Sequence, residues 1–386
     1  MKKSKKNFFI QKNTFKFAVV NYKKMIKKIF FLFVFVCFGV MAEVKASHDE
    51  KEQESSFDMN ELIMHHIKDA HEWHILEYKN SAGEEVPVTV PLPIILIANG
   101  QFDVFLSSEF EHGHKSVQRK NNTYILHHEK IYLANENGEL DFEVDEKGEN
   151  VVLSAKAWDF SITKNVASMF LVSVILVLVF VRVAKSYKKN PGRPKGIQAF
   201  LEPVILFVKD SIIFPSLGNR TNKFAPYLLT VFFFIIFNNL IGIIPFFPGN
   251  ANATGNIAVT MTLALFTFIA INVFGNKHYW KHTFWMPGVP VFVKPILAVV
   301  ELIGIIVKPV ALTIRLFANI TAGHIIILSL VGLIFMFKYA MAPASFIFVL
   351  FMDCLELLVA FLQAYIFTML SAVFIGISTE EHHKHD

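Results

Sequence analysis

The sequence predicts an all-α polytopic membrane protein of about five spans plus an interfacial helix, the last two helices long and tilted. Ahead of the spans it predicts a signal peptide and an extramembrane domain of α+β or mostly β character. Three observations carry this. Of the 386 residues, 53% are hydrophobic and 18% charged, where a soluble chain has about a quarter charged. Several apolar runs reach the roughly 20 residues that a bilayer-crossing helix needs. The charges are also segregated. Residues 1–30 hold ten Lys and no acid, residues 43–160 hold 24 of the 32 acids against 10 Lys/Arg, and residues 161–379 hold five acids. This pattern argues against a soluble enzyme, and two Cys exclude a disulfide framework and a Cys-based zinc site.

Residues 1–46 read as the signal peptide. Lys23, Lys24, Lys27 and Lys28 precede an apolar run from Ile29 to Met41, and the small residues Ala42 and Ala46 follow. That is the basic, apolar, small-residue order of a secretory signal. The run is short for a spanning helix; an uncleaved anchor is the alternative. Met25 is a candidate true start, and Cys37 reads as packing. Cleavage leaves the next domain on the outer side.

Residues 47–160 read as an external acidic, His-rich domain. Residues 58–76 look helical, with Leu62, Ile63, Ile67 and Trp73 at mixed three-to-four spacing. Strand character follows at 86–97, 102–107, 124–127, 130–134 and 151–155, with a turn signal at 135–138. Nine His fall here, His65, His66, His71, His74, His112 and His114 among them. A helix would put His71 and His74 on one face, where imidazoles can bind zinc or copper. No carboxylate-and-Cys set completes such a site, so the expectation is no metal and a polar face that titrates near neutral pH.

Residues 161–386 read as the membrane domain. The first span, 166–183, ends in Arg182, Lys185, Lys188, Lys189, Arg193 and Lys195. Positive flanks stay cytoplasmic, so the N-terminal side is external, in agreement with the signal peptide. Pro191 and Pro194 break the chain. Residues 197–214 carry Glu202, Lys209 and Asp210 and read as the interfacial or short re-entrant helix. Arg220 and Lys223 precede an outward span, 226–244, that bears Asn238 and Asn239. Residues 245–256 make an uncharged external loop, and 257–274 return to Lys277, Lys281 and Lys294. The stretches 296–337 and 343–378 are each too long for one upright span. They read as tilted helices joined externally near 339–343, with a cytoplasmic C-terminus.

Ionisable groups inside a membrane cost about 3 kcal/mol or more each and suggest function. The candidates are Glu301, Lys308, Arg315, Asn319, His324, Asp353, Glu356 and Gln363. At about 1.5 Å of rise per residue, Glu301 lies ~21 Å from Arg315 toward the cytoplasmic side and His324 ~13 Å the other way. On the antiparallel partner Glu356 lies ~10 Å external to Gln363. With Gln363 level with Arg315, Glu356 and His324 reach nearly the same depth. A carboxylate beside an imidazole suits a proton relay. Arg315 stands between two wet regions as a fixed charge, because a guanidinium keeps its proton. No Gly-rich phosphate loop occurs in the sequence, so the chain does not handle nucleotide.

The stretch KPVALTIRLFANITAGH (308–324) resembles the signature of subunit a of F-type ATP synthases. PYLLTVFFFIIFNNLIGIIP (226–245) resembles that family's second-span motif, and LQAYIFTMLSAVFIGISTEEH (362–382) its last helix. The resemblance covers roughly 165–382. It implies a non-catalytic, proton-translocating stator subunit that works with the subunit c ring, subunit b and other synthase subunits. It also implies the roles. Arg315 faces the ion-carrying carboxylate of subunit c between two offset half-channels. His324 and Glu356 stand at the external one and Glu301 at the cytoplasmic one. Asn319, Gln363 and Lys308 match family positions. The imidazole and carboxylate occupy the mitochondrial-like order, swapped from that of some bacterial members. Ala318, Ala322 and Gly323 allow close approach to the ring. The long extension resembles those of Bacteroidetes-type members. No cofactor, nucleic acid or small-molecule substrate is expected. Two alternatives stand beside this reading: a secondary transporter that binds an anion at Arg315, and a non-conducting scaffold with an external metal- or partner-binding domain.

Overall fold

The computed structural model describes residues 68–79, 85–135, 137–144, 150–189, 194–244, 247–249, 251–337 and 342–380. The signal segment 1–46, His65 and His66 lie outside the described residues. The elements below belong to one compact unit, Phe57–Ile243 with Phe247–Asp386.

The strand region is built of antiparallel pairings. β1 (Glu72–Lys79) pairs with β2 (Glu85–Pro91). β3 (Pro93–Ala98) lies between β4 (Gln101–Leu106) and β10 (Trp158–Asp159). β6 (Asn122–His127) lies between β5 (Val117–Arg119) and β7 (Lys130–Leu133), and β8 (Phe142–Val144) pairs with β9 (Asn150–Val152). Period-two alternation sorts the side chains. Ile94, Leu96, Phe105, Phe110, Val117, Tyr124 and Ile131 form the core. The Tyr124 hydroxyl donates to Asp103 Oδ2 at 2.8 Å, which satisfies two buried polar groups together.

Two expectations are corrected here. Residues 72–79 form a strand, not the end of a helix. The β-branched run Val86, Val88, Thr89, Val90 supplies a partner whose pairing outweighs the helix-like spacing. The shared helical face for His71 and His74 goes with it, since His74 lies in β1 and His71 just ahead of that strand. The stretch 86–97 is two strands rather than one. Pro91 and Pro93 bracket Leu92, whose N–H donates to Ser107 Oγ at 3.0 Å instead of continuing a ladder that proline cannot join.

The junction with the helices is a knot of charges. The Lys164 N–H donates to the Ala70 carbonyl at 2.9 Å. His71 is 3% exposed and its Nε2 lies 2.8 Å from Asp159 Oδ2, with Glu129 beyond Nδ1 at 3.9 Å. Burial opposes charge on this ring, but the hydrogen bonds and fields of Asp159 and Glu129 overcome it and raise its pKa from 6.5 to about 9. A folded-state pKa above the unfolded one gives stability that is complete below about 6.5 and is lost as pH rises through about 9. The strand region should therefore lose roughly 2–3 kcal/mol between pH 6.5 and 9.5. Melts of the solubilised protein at several pH values should show this, and His71→Gln should flatten the slope. An equal slope in the variant would refute the assignment.

Helix α1 (Lys164–Lys189) leads from this knot. α2 (Ile197–Val208) continues through a π turn, Lys209–Ile213, into a last helical turn, Phe214–Leu217. α3 (Thr221–Ile243), α4 (Ile257–Val273), α5 (Lys277–Phe284), α6 (Lys294–Phe337) and α7 (Ala342–Thr379) follow. Among the described residues four helical runs are long and apolar enough to cross a membrane; the pair α4–α5, bent by 99°, makes a fifth.

Contacts fix the helix directions. Asn239 of α3 donates to the Ala360 carbonyl of α7 at 3.3 Å, and Arg220 reaches Thr379 at 3.3 Å. α3 and α7 are therefore antiparallel. On α4, Thr267 meets Ser371 at 3.3 Å, and the Asn276 N–H just beyond that helix meets the Ser378 carbonyl at 2.9 Å, so α4 runs parallel to α7. The strand region, the start of α1 and the α3–α4 loop thus share one side of the helices.

α2 packs on α1 through Ser186–Gln198 and on α7, where Phe207 stacks on Tyr365 at 5.9 Å. The turn after it lies so close to α7 that a Cβ on Gly376 would sit 2.3 Å from the Ser216 carbonyl oxygen. Backbone cannot yield as a flexible side chain does. Gly376→Ala should cost about 1–3 kcal/mol or more and appear as a lowered melting temperature of the solubilised protein. An unchanged melt would mean that the two segments can part freely.

Candidate functional site

α6 has two faces. Ile305, Leu312, Leu316 and Ile320 are buried, at spacings of seven, four and four that keep one side of a helix inward. Ile303, Val307, Val310 and Ile314 are each about half exposed on the other side. Arg315, Ala318, Asn319 and Ala322 are exposed on the flank of that bare face. Glu301, Lys308 and Arg315 recur at every seventh position, so they form one file along the helix. This alignment escaped the sequence reading although its signal, the heptad spacing, was present.

No ion pair engages Arg315 among the described residues, whereas Asp353 is buried and engaged. A lone guanidinium bordered by Ile, Val and Ala is held at high cost unless a partner arrives from outside the chain. The small side chains of Ala318 and Ala322 beside it leave room for such a partner's backbone.

The structure brings His324 and Glu356 together. His324 Nδ1 lies 2.5 Å from Glu356 Oε1, with the side chains 22% and 5% exposed. Gly323 faces Glu356, and a Cβ there would meet its Oε1 at 3.6 Å. The space at Gly323 is thus taken by Glu356, not left for a neighbouring subunit.

Lys308 Nζ sits 5.4 Å from the Phe374 ring centroid, a cation–π contact with α7. His324 to Lys308 is sixteen residues back, and Glu356 to Phe374 is eighteen on, so α6 and α7 run antiparallel in near register. Gln363, 3% exposed, falls opposite Phe317–Ala318. It lies about one turn from the level of Arg315, toward His324. Glu301 is half-buried near the far end of the file. Asn239 ties α3 to α7 and accepts the Thr254 hydroxyl at 2.6 Å. Asn238 donates within its own helix to Phe234 at 2.8 Å.

The arrangement offers a titratable pair near the strand-region end, a lone fixed charge about two and a half turns away on a bare face, and a carboxylate toward the other end. Such a set can pass protons in two separate steps but not along one line.

A family model described as "ATP synthase A chain" matches residues 166–376. A second, described as "Domain of unknown function (DUF8433)", matches residues 62–160. The chain is similar to "ATP synthase subunit a" of Chloroherpeton thalassium, 46% identical over 235 residues that cover 58% of this chain and 69% of the relative. It is 40% identical to "ATP synthase subunit a 2" of Prosthecochloris aestuarii over 289 residues, 72% of this chain and 83% of the relative. To "ATP synthase subunit a" of Myxococcus xanthus it is 43% identical over 236 residues, 59% and 76% of the two chains.

Proposed function

The chain belongs to the ATP synthase subunit a family, and from that premise we propose the role of each residue in its proton path. The protein is a membrane protein and a non-catalytic proton-channel stator subunit of the synthase's membrane sector, working beside the c ring and other subunits. The kinship does not favour the transporter and scaffold readings.

The path has two half-channels. Protons enter at His324 and Glu356, which exchange them at close range. Asn319 and Gln363, on the facing helices between that pair and Arg315, help orient the arriving proton. A carboxyl on the c ring takes it and turns neutral into lipid, where a charged one would be penalised. After nearly a full turn the carboxyl releases its proton toward Glu301, at the far end of the file that also holds Lys308. Arg315 attracts the resulting carboxylate and, keeping its own proton, bars passage straight across. The observation that carries this reading is Arg315 itself, exposed on an apolar face with no ion pair among the described residues. Its removal, with pumping, leak and assembly followed together, is the test.

The division of the chain belongs to the proposal: a signal peptide at 1–46, a periplasmic domain at 47–160 and a membrane domain at 161–386, with the C-terminus cytoplasmic at a bacterial inner membrane. The basic run from Arg182 to Lys195 supports it. So does the common side shared by the strand region, the α3–α4 loop and the end of α1 opposite that run.

A further inference from the structure

Besides its hold on the start of α1, the strand region grips the α3–α4 loop at two points. Trp73 is buried at the start of β1 and donates from Nε1 to the Gly249 carbonyl at 3.2 Å. Its ring meets Phe247 edge-on, with centroids 5.1 Å apart, and packs with Leu92 and Ala251. Asp69 grips the other end. Its Oδ2 accepts from Asn256 Nδ2 at 3.4 Å and from the Thr163 hydroxyl at 2.9 Å, and its Oδ1 accepts from the Asn165 N–H at 3.0 Å. Asn256 in turn caps α4 by accepting from the Ala258 N–H at 2.9 Å. A carboxylate with three donors is strongly fixed. The loop residues 247–249 and 251–256 are therefore pinned to the strand region at both ends.

The middle of the loop touches one helix of the proton pair, α6, and reaches the other, α7, through Asn239 of α3. The Thr254 hydroxyl donates to Asn239 Oδ1 at 2.6 Å, and Asn239 donates on to the Ala360 carbonyl at 3.3 Å. Ala360 lies one turn beyond Glu356. The Gly255 carbonyl accepts from the Thr321 hydroxyl at 3.5 Å, and Thr321 lies one turn before His324. A displacement at either pin is thus passed by polar contacts to the helical turns next to both members of the pair.

We propose that the N-terminal strand region is a working part of the proton inlet, in which Asp69 and Trp73 position the 247–256 loop and thereby the spacing of His324 and Glu356. This rests on the reading of that pair as the inlet. Asp69 and Trp73 are positioning residues that touch no transported proton. A domain serving only as a tether would need one anchor to α1 and no grip on the loop.

The test uses the whole synthase in vesicles, with proton-driven ATP synthesis measured while the pH of each side is varied independently. Asp69→Ala and Trp73→Ala should assemble, lower the maximal rate about three- to tenfold and displace the inlet-side pH profile by about half a unit or more. The outlet-side profile should stay in place. Trp73→Phe keeps the ring and should recover most of the loss. Wild-type profiles on both sides, or equal displacement on both, would overturn the proposal. If Asp69→Ala does not assemble, Asn256→Ala cuts the same link from the helix side and is judged by the same outcomes. Glu356→Gln is the companion. Normal synthesis in that variant sinks the inlet reading and this proposal together, while a slowed Glu356→Gln beside a normal Asp69→Ala sinks this proposal alone.

Discussion

Arg315→Ala abolishes ATP-driven acidification of inverted vesicles and raises their passive proton leak, with the synthase still assembled. Assembly should survive because Arg315 is exposed and no carboxylate among the described residues depends on it; its loss orphans no buried charge. Pumping should fall at least about a hundredfold, the scale on which removal of one fixed electrostatic partner acts in a site shielded from water. The leak follows from the other half of its role, since a permanent cation is an electrostatic barrier to protons. Arg315→Lys should recover little of the pumping. An ammonium is a point charge that can give up its proton when buried, and it lacks the planar fork that meets a carboxylate with two hydrogens. Undiminished pumping by an assembled Arg315→Ala synthase would refute the rotary-channel role of this residue.

A double-mutant cycle on the inlet pair has the second largest expected effect. Glu356→Gln and His324→Gln should each slow proton-driven synthesis about tenfold to a hundredfold or more, the range for positioned proton-transfer groups. The double variant should be no slower than the worse single one. Groups in contact behave as a unit, so their effects do not multiply, and 2.5 Å is contact. Multiplying effects would mean that the two side chains act at separate steps, and that their meeting only packs the helices.

Much of this was open to sequence reasoning for a physical reason. The spans declare themselves through apolar length and flanking charge, both local properties of the chain. The meeting of His324 and Glu356 follows from helix rise, because two uninterrupted helices turn residue counts into distances. The same arithmetic put Gln363 level with Arg315. The contacts Lys308–Phe374 and His324–Glu356 move that level by about a turn, an offset that only real side-chain packing sets. What stayed hidden depends on distant partners. The strand at 72–79 is dictated by a neighbour strand, not by its own spacing. Trp73 and Asp69 look like ordinary core and surface residues until Gly249 and Asn256 stand opposite them, 176 and 187 residues away. The strand at 158–159 is two residues long, too short for any periodicity to reveal.

Helix α6 has 44 residues, about 66 Å of rod, for a hydrocarbon layer about 30 Å thick. Held wholly within the layer, a rod that long would lean about 60° from the normal. Distance along the helix is then mostly sideways distance. The 23 residues from Glu301 to His324 amount to about 35 Å along the axis, but to only about 17 Å of depth and about 30 Å of lateral travel. On the proposed reading, inlet and outlet would then differ more in compass bearing around the ring than in height. A carrier at one door reaches the other by the short arc past Arg315, which is closed to a protonated site, or by the long arc through lipid. On that reading, the sheer length of one helix would give proton flow its sense of rotation.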